Sequence, residues 1–168
     1  DTGITFEDVM GLCNIHANLF KGAITDVEVA DIDQEGHPVY VFKQENLALR
    51  AALLRIRRII DQYGKTEDAE LKDQLLQGLT RQFDLLGQFE NHYTRKEKVF
   101  FPIMERYGHD SPPKVMWGVD DEIRDLFKTA RKTLESGDLA ATKAHFEAFA
   151  KEFEEMIFKE EAILLMIL

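Results

Sequence analysis

From Val39 onward the apolar positions advance in alternating steps of three and four, and each such run contains a polar residue that breaks it. The first run reads Val39, Phe42, Asn46, Leu49, Leu53, Ile56, Ile60. That period lays one stripe along a helix face. The spacing predicts a helix opening at His37 and Pro38, with Pro at the first helical position where its missing N–H is harmless. After Gly64 and a charged turn, a second long helix is predicted from about Glu67 to Tyr107. Leu71, Leu75, Leu79, Leu86, Phe89, Val99, Phe100 and Ile103 supply its apolar side, and Pro102 is expected to kink it. The segment GHDSPP, Gly108 to Pro113, is the clearest breaker. A third helix follows with Met116, Asp120, Ile123, Phe127, Ala130 and Leu134 in register. A fourth begins near Asp138 and carries Phe146, Phe149, Phe153, Met156, Glu160, Ile163 and Ile167.

Upstream, a helix is expected from Thr5, a capping residue with Asp8 in the capping-box position, to Gly22. Phe6, Val9, Met10, Cys13 and Phe20 share its apolar face, and His16 falls on the same face. Residues Ala23 to Gly36 are acidic and aperiodic, which predicts a loop holding a short extended piece. The fold class is therefore all-α. An up-down-up-down four-helix bundle over residues 37–168 is expected, with the additional N-terminal helix and acidic loop of residues 1–36 packed on it.

The interruptions carry the chemistry. Asn46, His92 with Glu97, Asp120 and Glu160 place at least one polar side chain in the buried stripe of every bundle helix. An ionised carboxylate buried without a partner costs several kcal/mol, so three of them near one axis require cations. A divalent or trivalent metal is one solution. The other is a metal-free polar layer in which Lys96 and Arg95 neutralise the acids and Asn46 fixes helix register. Spacing alone leaves both open. It also raises a difficulty: Lys96, not Glu97, lies one α-turn from His92, and Glu97 is turned away by about 140°. Glu97 converges with His92 only through a local π-bulge, a feature that favours functional sites. The phrase HYTRKEKVFFP is echoed near the C-terminus as MIFKEEAILLM, with Met156 in the place of His92.

The remaining histidines divide by position. His16 points inward on its helix, His37 at a helix start suits a cap or a ligand, His109 in a breaker suits solvent, and His145 beside Phe146 suits a structural role. Cys13, one turn from His16, reads as a small core residue. There is no phosphate-cradling glycine loop, zinc cysteine pairing or serine nucleophile elbow.

Composition narrows the field. The chain has 168 residues, 45% hydrophobic and 31% charged, which is enough for one well-buried core. A formal charge of −10 argues against nucleic acid. A single cysteine points to a reducing cytoplasm, no apolar run reaches membrane-spanning length, and DTGITFEDV does not resemble a signal peptide. The chain starts without Met, so it is expected to be a piece of a longer polypeptide.

With these helices in place, HYTRKEKVFFP resembles the histidine and glutamate helix of the hemerythrin-like family of HHE cation-binding bundles. FKQEN resembles its first-helix signature, PPKVMWGVDDEIR its third and FKEEAIL its fourth. LCNIHANLFKG and EGHPVYVFK are similar to a subfamily in which a domain of unassigned function leads into the bundle and a PAS sensory domain often follows. The resemblance implies non-haem iron, mononuclear or dinuclear, used in sensing oxygen, nitric oxide or redox state, or in handling oxygen or iron. Family members usually carry histidine where Asn46 and Asp120 stand, and often where Met156 stands. The oxygen-rich set left here admits zinc or manganese beside iron.

The expected ligands are His16, His37, His92, Glu97, Asp120 and Glu160, with Asn46 and Glu161 as supporting or spare donors. The expected role is a sensory or regulatory bundle rather than an enzyme. It would bind a small diatomic ligand and act on an attached or partner signalling domain, without nucleic acid or membrane. A haem sensor and a metal-free interaction module are the alternatives.

Overall fold

The computed structural model describes the backbone from Gly36 to Ile167 and side chains as far as Ala162. The expected helix from Thr5 to Gly22, most of the acidic loop, Cys13, His16 and the side chains of Ile163 and Ile167 lie outside the described residues. Those described form helices only.

Helix α1 runs Pro38–Lys65 and is capped by the His37 side chain, whose Nδ1 accepts from the Val39 amide at 3.2 Å. Every position of its predicted stripe is buried, Asn46 included. Helix α2, Ala69–Leu86, is capped by Asp68, whose Oδ1 accepts from the Glu70 and Leu71 amides. The arm predicted as one helix from Glu67 to Tyr107 then continues in pieces: α3 at Phe89–Arg95, a π turn at Lys96–Phe100 and α4 at Phe101–Arg106. Gly87 marks the first break. A Cβ there would stand 3.4 Å from the Phe83 and Asp84 carbonyls and 3.5 Å from the Phe127 ring, at ordinary contact distance. Pro102 accounts for the second. It has no N–H to return to the preceding turn, which widens to a π turn.

That wide turn resets the stripe. Val99 is exposed and Ile103 only half-buried, whereas Phe100, Phe101 and Met104 enter the core. Leu71 is likewise exposed, and Phe83 is a fully buried position outside the predicted stripe. The third stripe holds throughout on α5, Ser111–Glu135. Its start is earlier than the breaker suggests, because Pro112 and Pro113 sit in the first turn, which tolerates proline. Helix α6, Leu139–Ile167, follows Asp138, whose side chain accepts from the Ala141 amide.

Successive arms run antiparallel. Glu45 meets His92 while Arg55 meets Gln82, Phe83 stacks on Phe127 and Phe89 meets it edge-on while Lys96 meets Asp120, and Phe127 packs on Phe149. The core between them is aromatic: Phe89 contacts Tyr93, Phe127, Phe149 and Phe153 with ring centroids 5.1–5.7 Å apart. Among the described residues no helix is long and apolar enough to cross a membrane.

Candidate metal centre

One side of the aromatic core gives way to a polar layer. His92 on α3 and Lys96 at the start of the π turn lie one turn apart on the same inward face. His92 is 1% exposed and stacks on Phe42, with ring centroids 3.8 Å apart. Its Nδ1 lies 2.6 Å from Glu45 Oε2, and Arg95 Nη1 holds the other Glu45 oxygen at 2.5 Å near the surface. Its Nε2 faces Glu160 Oε2 at 3.4 Å in the interior. Lys96 Nζ then bridges Glu160 Oε1 at 2.5 Å and Asp120 Oδ1 at 2.6 Å, while standing 4.1 Å from the Tyr93 ring centroid. The result is a continuous chain, Glu45, His92, Glu160, Lys96, Asp120, running from one bundle edge through the centre.

The electrostatics follow from burial. Desolvation pushes the Asp120 carboxyl up to about 7 although Lys96 pulls it the other way. Burial also opposes ionisation of Glu160, but Lys96 and His92 outweigh it and hold that carboxyl below its usual range. Burial, with Glu160 and Asp120 nearby, pushes the Tyr93 phenol well up. Four buried atoms of the layer have no hydrogen-bond partner: both Asn46 amide atoms, Asp120 Oδ2 and Tyr93 Oη. An unpaired buried polar group costs about 1–3 kcal/mol, so the layer is under-satisfied. Burial raises Glu161 too. The nearby Asn46 amide favours the charged form of Glu161 without making a well-formed hydrogen bond to it.

Of the expected ligands, His92 meets Glu160 directly, and Asp120 is joined to them through Lys96. Glu97 does not join them. The π turn buries it, but against Arg124, whose guanidinium donates to both carboxylate oxygens at 2.7 and 3.1 Å. His37 caps α1, His16 lies outside the described residues, His109 is exposed and His145 is half-buried. Glu45 is the residue the stripe analysis misses. It sits one position before Asn46, just off the apolar face, and only its contact with His92 shows its place.

The donor chemistry fits a metal cation. A histidine held by a carboxylate on one ring nitrogen presents the other for ligation, and this is how ligating histidines are commonly oriented. If Nδ1 donates to Glu45, the Nε2 lone pair confronts a carboxylate oxygen, a pairing that needs a proton or a cation between them. Orphaned Asp120 Oδ2 is a further oxygen donor. Nonetheless, among the described residues no three His, Cys, Asp or Glu side chains stand together as a ready-made cage. The Lys96 ammonium holds the middle of the layer.

Comparison with known proteins gives one match. The family profile described as Hemerythrin HHE cation binding domain covers residues 37–168. No curated protein and no solved structure matches the chain.

Proposed function

Since the chain belongs to the hemerythrin HHE cation binding domain family, we propose that it is a regulatory bundle that takes up non-haem iron on His92, Glu160 and Asp120 and signals oxygen, nitric oxide or redox state. The observation that carries the reading is the orientation of His92. Its Nδ1 is tied to Glu45 at 2.6 Å, which turns Nε2 to Glu160 in the buried layer. When bound, iron supplies a redox-active centre able to take a diatomic ligand. The chain's own residues do the rest: Glu45 fixes the imidazole, Phe42 stacks on it, and the aromatic core keeps water from the layer.

The output on this reading is structural. His92, Asp120 and Glu160 belong to α3, α5 and α6, so a change in the charge they share alters the packing of three helices at once. An attached or partner signalling domain at the bundle ends is the proposed recipient. Anaerobic addition of ferrous iron to metal-stripped protein tests the reading through thermal unfolding. A cation that binds only the folded state raises the midpoint by mass action. An unmoved midpoint, or an intense Soret band in the protein as purified, contradicts it.

The Lys96 bridge favours a second reading, a metal-free interaction module whose core is neutralised internally. It predicts full stability in strong chelator and no response to iron.

A further inference from the structure

We infer that Lys96 is a resident counter-cation, and that its ammonium and a metal cation are alternative occupants of the Asp120 and Glu160 pair, so that metal entry expels Lys96 from the core. The inference rests on the iron-binding reading for its second half. Its first half, an ammonium standing where a cation must stand, rests on contacts alone.

Lys96 is 1% exposed, which is unusual for lysine unless it is paired. Its Nζ is held by one oxygen of each carboxylate and by the face of Tyr93, with the Phe101 ring centroid 5.9 Å away. Two carboxylates on two different helices are thereby tied to a third. Removing that cation strands Asp120 and leaves Glu160 with His92 alone, which is strongly destabilising.

The match is nevertheless incomplete. One ammonium faces two carboxylates, Asp120 Oδ2 has no partner, and Glu160 Oε2 turns to His92 instead. A divalent cation balances both acids and uses His92 Nε2 as well, which a lysine cannot do. Lysine is also the side chain suited to leaving. Its charge sits on a flexible four-carbon stem, unlike the rigid guanidinium fork of arginine. Arg124, the neighbouring cation, is engaged with Glu97 and Asp121 and does not compete for the pair.

The test compares wild type with Lys96→Met, and with Lys96→Met/Asp120→Asn in case the single variant folds poorly. Each is stripped by chelator and then given ferrous or zinc ion. The readouts are thermal midpoint, metal affinity and labelling of Lys96 by an amine-directed reagent. Stripped wild type is expected to stay folded with Lys96 protected, and metal is expected to make Lys96 reactive. Lys96→Met is expected to lose roughly 10 °C when stripped and regain it with metal, binding at least about tenfold more tightly than wild type because its competitor is gone. The double variant, with less charge to balance, is expected to lose less. Metal uptake by wild type with Lys96 still protected, or equal affinity in Lys96→Met, overturns the inference while leaving the functional reading intact. No uptake by any variant overturns alternative occupancy together with that reading.

Discussion

Glu45 and His92 face each other across 2.6 Å between α1 and α3, and this contact fixes which ring nitrogen points into the bundle. It links a half-exposed surface pair, Glu45 with Arg95, to a fully buried one, His92 with Glu160. Glu45→Gln should therefore keep the fold but weaken iron binding by about 10- to 100-fold, the usual effect of losing an orienting carboxylate. Isothermal titration of the stripped variant measures it. An affinity equal to wild type would mean that the orientation of His92 does not matter to the cation.

Asp120 gives the metal-free bundle a pH dependence of defined sign. Burial pushes its carboxyl up to about 7 in the folded chain, against 3.8 as the ordinary value. Between these values the folded state holds a proton that the unfolded state has released, so stability falls as pH rises through the window and levels off above it. Glu160 acts in the opposite sense at the acid end. Its lowered value contributes stability above the ordinary carboxylate range, which is lost only as pH drops through its folded value. Urea unfolding of stripped protein should show stability declining from about pH 5 to pH 8 by roughly 2–4 kcal/mol. Asp120→Asn should flatten that slope. A stripped wild type whose stability rises across the same range would contradict the assignment.

Much of this could be read along the chain. Period alone located the stripes of α1 and α5 residue by residue, because an uninterrupted helix translates sequence spacing directly into direction. The same rule failed for Leu71, near the start of α2, and for Val99, inside the π turn. Beyond Lys96 the π turn shifts the inward face, so Phe101 and Met104 are buried in place of the positions a continuous helix would choose. The His92 to Glu97 spacing did call for that π turn, but not for its consequence. It buries Glu97 against Arg124 and leaves Lys96, at the ordinary spacing, in the centre. Which of several buried charges pair is a tertiary fact. Glu45 illustrates it further, since no pattern within α1 marks it out from its neighbours.

The Glu97 and Arg124 pair should behave as structure rather than as part of the cation site. Glu97 is almost fully buried and Arg124 mostly so. Arg124→Leu is expected to destabilise the bundle by about 3 kcal/mol by stranding a buried carboxylate, and Glu97→Gln in the same chain should restore much of that loss. Denaturant unfolding of the single and double variants reads this directly. Iron stoichiometry should be unchanged in Glu97→Gln alone, and loss of metal there would place Glu97 among the ligands instead.

Phe89 joins the aromatic core to the polar layer, touching Tyr93 on one side and Phe127, Phe149 and Phe153 on the other. Phe89→Ala should cost about 3–5 kcal/mol through the cavity it opens. Tyr93, whose ring carries the Lys96 ammonium, should become more exposed and titrate closer to its ordinary value in that variant. Ultraviolet pH titration of the phenol follows the change, and an unaltered titration would show that the layer does not depend on this packing.

The most direct measurement is the metal-to-protein ratio of wild type and His92→Ala, purified in parallel without chelator after growth in iron-replete medium. The account predicts at least one iron per wild-type chain and a loss of most of it in His92→Ala with the helical fold retained. Substoichiometric metal in wild type, or equal iron in the two proteins, would contradict it.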